Sequence, residues 1–215
     1  FDIFDALNTT GLPLTAIETL KPLVINHYRE KNKEYEGSGA DLAFGAIEEN
    51  FKKHHSETSA QERETKALTV AASLLVAGKK IGENLAIQRK ELNDLQRESV
   101  SRNKPDEIVK TLEAILDYRT MFYRKDGIES IKEAGLGNAR NSNEDNELLK
   151  TLCAFFMESN TKIVTPVLAR FYAVAKSNNN YQDYFSMVKA LAAFFLLRRA
   201  ATGTTEGIDG KIRGL

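Results

Sequence analysis

The 215-residue chain contains no Trp, one Cys and four Pro, and its 30 basic residues are balanced by 30 acidic ones. One Cys cannot form an intramolecular disulfide or a cysteine-based zinc site, so we expect a fold held by packing in a reducing compartment, with the cytoplasm as the default. A zero net charge argues against a general nucleic-acid surface, which needs surplus Lys and Arg to displace counterions, although a local basic patch is compatible with it. The longest apolar runs, at 70–77 and 190–197, are shorter than the roughly 18 residues that cross a bilayer, so we expect no membrane contact.

Nearly all of the periodic sequence has helical spacing, and no stretch alternates apolar and polar residues long enough to predict a strand. We therefore predict an all-α multi-helix bundle without substantial sheet, which could divide into two helical subdomains. Thr15 and Glu18 predict a capping box, and Ser59 with Glu62 predicts a second one. After the second box, helix-forming residues continue to about Val100. Two glycines in that run leave one long helix and a broken helix equally open, and these are Gly78 and Gly82.

Composition predicts four parts along the chain: a helical subdomain over 1–126, a polar linker over 127–146, apolar helices over 147–201 and an irregular tail over 202–215. The last apolar helices are expected to be the best-buried part of the molecule. Predicted inward-facing residues are Ile17, Leu20, Val24 and Tyr28, then Leu42, Ile47 and Phe51, and, in a helix beginning near Pro105, Ile108, Leu112, Ile115, Leu116 and Phe122.

The residue types that carry chemistry are sparse. His54 and His55 are adjacent, so they point to different sides of a helix and cannot bind one metal as an i, i+4 pair does, and we expect both to be exposed. Cys153 has apolar helical neighbours, which predicts a buried thiol with a raised pKa. The adjacent acids, such as Glu48 and Glu49, are typical of a solvated helix face. We therefore predict no catalytic residue and no metal site.

A cluster of cations lies near the end of the last apolar helix. Two explanations are open for it. Cations are favoured at a helix C-terminus by the dipole, and Arg guanidinium groups can also bind phosphate oxygens in a bidentate manner. The phosphate-contact candidates are Arg198, Arg199, Lys211 and Arg213.

Two segments resemble one known family. The first is Phe1-x-Ile3-Phe4-x-x-Leu7-Asn8-Thr9-Thr10-Gly11-Leu12-Pro13-Leu14, followed by Glu18, Leu20 and Lys21, and the second is Phe195-Leu196-Leu197-Arg198-Arg199-Ala200-x-Thr202-Gly203. They resemble the GmrSD-like restriction family, bacterial proteins whose ParB/sulfiredoxin-like N-terminal domain binds and hydrolyses nucleotides. The chain departs from the family at Glu18, where Asp is commoner, and at Pro22, where Asn is commoner.

The resemblance implies that the chain is a helical middle segment of a DNA-modification-dependent restriction or phage-defence protein. Both catalytic centres of such a parent, with its nucleotide and divalent metal, would lie outside these residues, so no cofactor is expected in this segment. The carried-over residues are Asn8, Gly11 and Lys21, as candidates for contact with a nucleotide or a neighbouring domain. For Asn8 and Gly11 the stronger explanation is that they simply form a turn. Opening on Phe1 inside an apolar pattern also predicts a piece of a longer protein.

The function that we expect from the resemblance is a relay between a nucleotide-dependent domain and a nuclease domain, with both domains, and DNA, as partners. The alternative is a non-enzymatic helical scaffold for protein interaction, and an oligomer is compatible with either. A helical enzyme that uses buried acids has the least support, because no acids share a helix face at suitable spacing.

Overall fold

The computed structural model describes residues 15–55, 57–79, 81–82, 84–122, 143–159 and 163–204. Within these ranges there are eight helices and no strand, which confirms the all-α prediction. The helices are α1 (Ala16–Glu30), α2 (Gly39–His54), α3 (Thr58–Ala77), α4 (Leu85–Ser101), α5 (Glu107–Phe122), α6 (Asn143–Glu158), α7 (Val164–Asn178) and α8 (Gln182–Thr202).

The chain forms two compact units, Phe1–Glu113 and Ala114–Leu215, and their boundary falls within α5. The predicted linker lies outside the described residues over 127–142, and 143–146 belong to α6. The predicted tail is described only over 202–204. The four-part organisation therefore stays a prediction.

The helix ends in the first unit follow from local hydrogen bonding. The Thr15 capping box is confirmed, because the Glu18 backbone N–H donates to Thr15 Oγ1 at 3.3 Å and the Thr15 N–H donates to Glu18 Oε2 at 2.6 Å. The second capping box is wrong: α3 begins after Glu57, whose side chain makes no capping bond. Gly78 adopts a φ of 65°, a left-handed conformation that glycine tolerates, and ends α3. The glycine-containing run is therefore broken into two helices.

In the first unit, α1 packs against α3 and α4, which also pack against each other. Its core contains the four predicted residues of α1 together with Phe44, Ile47, Leu68, Leu92 and Leu95. Leu42 was predicted to face inward, but its side chain is 67% exposed. The buried side of α2 consists of Ala40, Ala43, Phe44 and Ile47, and helical geometry turns Leu42 away from that side. Phe51 is half-buried.

In the second unit, α8 packs against α6 and α7. Tyr118, Phe122, Tyr172 and Tyr184 form an aromatic cluster whose ring centroids lie 4.6 to 6.3 Å apart. Most of these pairs are edge-to-face, an arrangement that the aromatic quadrupole favours. The predicted inward side of α5, which spans the boundary of the two units, is confirmed, since all five of its residues are buried.

Candidate functional site

Lys21 is the carried-over candidate that the structure describes, because Asn8 and Gly11 lie outside the described residues. Its Nζ atom lies 2.6 Å from Glu48 Oε1 on α2 and 5.7 Å from the centroid of the Phe44 ring. Both partners of the ion pair are partly exposed, so water screens the pair and it contributes little to stability. Glu48 therefore balances the charge of Lys21.

Lys21 also lines an open cavity of about 290 Å³ formed by α1, α2 and the first turns of α3. Its apolar wall is formed by Ile17, Phe44, Ile47 and Phe51, and its charged lining by Glu18, Lys21, Glu48 and Lys52. Glu18 is occupied by the helix cap, and two cations face two anions. The volume is at the lower limit of small-molecule sites. This lining suits a small amphiphilic group better than a multiply charged one.

Histidines do not form a metal site in the described part of the chain. No group of three or more His, Cys, Asp or Glu residues there is placed to hold a metal ion. The expected exposure of His54 and His55 is wrong, since both are half-buried. The last turn of α2 explains part of this burial, because the Phe51 ring packs edge-to-face on His55 with centroids 5.8 Å apart.

Cys153 is a core residue, as predicted, and its side chain is 3% exposed on α6. Its Sγ atom lies 4.0 Å from the Tyr184 hydroxyl, which donates to the Tyr118 hydroxyl at 3.4 Å. Burial raises the pKa of Cys153 to about 12 and the pKa of Tyr184 well above its ordinary 10.0. Near neutral pH both groups stay protonated, which disfavours a role for either as nucleophile or base.

The structure describes two of the four phosphate-contact candidates. Arg198 is half-buried and Arg199 is exposed near the end of α8, whereas Lys211 and Arg213 lie outside the described residues. Successive helical residues point about 100° apart. The side chains of Arg198 and Arg199 therefore leave the helix in different directions. The four-residue phosphate contact stays a prediction.

One side of α8 is an exposed surface of small and apolar residues, which the sequence pattern did not predict. The buried side consists of Tyr184, Phe185, Val188, Leu191, Ala192 and Phe195. On the opposite side four exposed residues form what we call the outer face of α8, namely Ser186, Ala190, Ala193 and Leu197. Leu197 is 71% exposed and its neighbour Leu196 is 56% exposed. The expectation that this helix is among the best buried is therefore wrong for half of its circumference.

The outer face of α8 is exposed because the described helices pack against one side of α8 only. The stretch of α8 over 190–197 is apolar on all sides, but α5, α6 and α7 cover one side of the helix. A helix that is apolar all round is usually buried on all sides. The lack of an amphipathic pattern in the sequence of α8 therefore indicated that an apolar side would be left exposed when helices cover only one side of it. None of the described helices is long and apolar enough to span a membrane.

Comparison with known proteins adds no family. No protein-family model matches the chain, and no curated protein matches it either. The resemblance of its two ends to the GmrSD-like family therefore stays a prediction that rests on those residues.

Proposed function

We propose that the chain is a non-enzymatic helical interaction module that binds a protein through the outer face of α8. The observation that carries this proposal is the 71% exposure of Leu197 on a helix whose other side is core. Contiguous exposed apolar surface on a protein is a common property of interaction sites.

The charge distribution along α8 favours protein over nucleic acid as the partner. The eight residues from Ala190 to Leu197 carry no charge, and the charged residues Asp183, Lys189, Arg198 and Arg199 lie on either side of them. A nucleic-acid surface would need cations along the face, whereas the centre of a protein interface is depleted of charged residues.

The chemistry of the remaining described residues gives independent support. The thiol of Cys153 and the hydroxyl of Tyr184 are buried and protonated near neutral pH. The cavity at Lys21 is charge-balanced and has an apolar wall. These features suit binding and packing better than bond cleavage.

A site-specific photo-crosslinker tests the proposal. Benzoylphenylalanine at position 197 should give, in cells that express the chain, a discrete protein adduct that mass spectrometry identifies. The same group at position 42 is the matched control, because Leu42 is similarly exposed, at 67%, on α2. Adducts at both positions, or no protein adduct at position 197, would refute the proposed function.

A second proposal keeps the relay between a nucleotide-dependent domain and a nuclease domain, with those domains and DNA as partners. The observation that favours it is the position of Lys21 at a cavity, next to Glu48. If a nucleotide phosphate binds Lys21, it competes with the Glu48 carboxylate. Glu48→Gln should then strengthen binding of a fluorescent ATP analogue, and Lys21→Met should weaken it.

The two proposals also differ at the C-terminal end of α8. A DNA-contacting relay predicts weaker, salt-dependent binding of a labelled duplex after Arg199→Ala, because a phosphate contact is lost. The interaction module predicts unchanged DNA affinity. Fluorescence anisotropy at two salt concentrations measures the difference.

A further inference from the structure

We propose that the cavity formed by α1, α2 and the first turns of α3 binds a small monocarboxylate whose apolar body brings it to about ten non-hydrogen atoms. The cavity is separate from the outer face of α8, so this inference goes beyond the interaction module. Its ligand also differs from the nucleotide of the relay proposal. Four features of the cavity support the inference: its apolar wall, the charges in its lining, its neutral donors and its volume.

One wall of the cavity suits an apolar ligand. The side chains that form this wall come from α1 and α2, and they are Ile17, Phe44, Ile47 and Phe51. The first three are at most 4% exposed, so the core of the unit already fixes their positions, and Phe51 is half-buried. A ligand that covers this wall removes apolar surface from water, which is favourable and needs no directional contact. The wall therefore favours an apolar body on the ligand.

The charged groups in the lining leave one cation without a partner. Glu48 pairs with Lys21 at 2.6 Å. The Glu18 carboxylate accepts from the Thr15 N–H at the start of α1, where the helix dipole is positive. Lys52 forms no ion pair within the described ranges of the chain. A single carboxylate on the ligand can pair with Lys52, whereas a triphosphate would bring further anionic oxygens close to carboxylates already present, which Coulomb repulsion disfavours.

Gln61 adds a neutral donor to the same lining. It lies near the start of α3, and its amide makes no hydrogen bond to the residues that the structure describes. Its NH₂ group can therefore donate to a carboxylate oxygen. α3 also begins without a side-chain cap, which leaves N–H groups of its first turn without a side-chain acceptor. The direction of these N–H dipoles favours an anion over a cation near Gln61.

The volume of the cavity limits the size of the ligand. The cavity measures about 290 Å³. A water molecule takes about 30 Å³ of liquid volume, so about ten groups of that size fill the space. Octanoate is a monocarboxylate of this size, and we use it as the probe. Because the cavity is small and open, we expect a dissociation constant of about 0.1 to 1 mM.

Titration of octanoate into the isotope-labelled full chain, followed by two-dimensional NMR, tests the site. The amides of Lys21, Phe44 and Lys52 should show saturable shifts, and those of α6, α7 and α8 should not move. Affinity should rise about two- to fourfold for each CH₂ from butanoate to octanoate, because each added group covers apolar wall. No saturable shift at about 5 mM octanoate, or equal shifts throughout the chain, overturns the inference.

Lys52→Met tests the carboxylate contact, and Lys53→Met is its matched control. Both lysines are exposed in the last turn of α2, where the helix dipole favours a cation, but Lys52 lines the cavity and Lys53 does not. Lys52→Met should weaken octanoate binding about three- to tenfold and leave the binding of uncharged octanamide unchanged. Lys53→Met should bind both ligands like the wild type. Equal weakening in the two variants would show general attraction to a basic helix end and would overturn the assigned site.

The outcomes separate this inference from the two proposed functions. Failure of octanoate to bind overturns the inference and leaves the interaction module, which photo-crosslinking at position 197 tests separately. Displacement of octanoate by a lower concentration of ATP, with tighter ATP-analogue binding by Glu48→Gln, supports the relay and overturns the monocarboxylate. Saturable octanoate binding that depends on Lys52 and that ATP does not displace supports the inference and counts against a nucleotide in this cavity.

Discussion

Alkaline pH should destabilise the protein through Cys153, and the effect can be calculated from the burial of its thiol. In the folded chain burial raises the pKa of Cys153 from 9.0 to about 12. Between these two values the unfolded chain releases the thiol proton and the folded chain retains it. The stabilising contribution is therefore complete below about pH 9 and is lost as the pH rises toward 12.

The magnitude follows from linkage. Each pH unit above the unfolded pKa costs slightly more than about 1 kcal/mol, so the thiol alone lowers the free energy of unfolding by about 1 kcal/mol at pH 10 and about 3 kcal/mol at pH 11. The pKa of the fully buried Tyr184 is also raised by burial, so its titration acts in the same direction. A loss of about 3 kcal/mol is a large part of the stability of a typical domain.

Urea unfolding followed by circular dichroism measures this loss. Between about pH 8 and pH 10 the free energy of unfolding of the wild type should fall by about 1 kcal/mol more than that of Cys153→Ala, which has no thiol to titrate. Lysines and exposed tyrosines titrate alike in both proteins, so the difference reports on Cys153 together with its contact with Tyr184. Parallel pH profiles for the two proteins would show that the thiol is not desolvated in the folded state, and the reasoning would fail.

Three further predictions test the packing and the caps. Leu92→Ala, at a side chain that is fully buried, should destabilise the chain by about 2 to 5 kcal/mol, whereas Leu42→Ala should change it by less than about 0.5 kcal/mol; thermal unfolding compares them, and equal losses would contradict the assignment of the core. Thr15→Ala should cost about 1 kcal/mol because the Glu18 N–H loses its acceptor, and Thr15→Ser should restore most of it. A double-mutant cycle on Lys21 and Glu48 should give a coupling of about 0.2 to 1 kcal/mol that falls with salt, since both groups are partly exposed; a coupling that salt does not change would contradict this.

Much of the fold could be predicted because helices depend on local information. The spacing of Ile17, Leu20, Val24 and Tyr28 identified the buried side of α1, and the pair Thr15 and Glu18 identified its start. The start of α3 was predicted less well than the start of α1. The second capping motif predicted Ser59 as the N-cap, but the N-cap is Glu57, two residues earlier, and its side chain makes no capping bond.

The wrong predictions for α2 have one cause, which is that burial there depends on the packing of the folded chain. Leu42 was assigned to the core by its residue type, but the buried side of α2 is fixed by Phe44 and Ile47, which occupy the other half of the helix. The half-buried state of His54 and His55 likewise depends on packing at the end of α2 and not on their own spacing. Hydrophobicity alone does not specify which side of a helix receives a neighbour.

The candidate site was less predictable than the fold for a related reason. Lys21 was proposed from a resemblance, and no spacing in the sequence indicated that Glu48, 27 residues later, would balance its charge. That pairing depends on how α2 packs beside α1. Whether a charged residue is paired, and whether a ligand can reach it, therefore depend on tertiary packing. Its place on a helix depends on the local sequence.

The exposure of the outer face of α8 is another feature that composition alone does not predict. A helical stretch that is apolar on all sides, such as 190–197, would normally be surrounded, yet the described neighbours of α8, which are α5, α6 and α7, cover only one side. Full burial of a Leu side chain is worth about 1.5 to 3 kcal/mol, and Leu197 gains little of this in the chain itself because it is 71% exposed. Binding of a protein at the outer face of α8, as proposed, would recover part of that free energy. It would also give the apolar composition of α8 a physical reason that the packing within one chain does not.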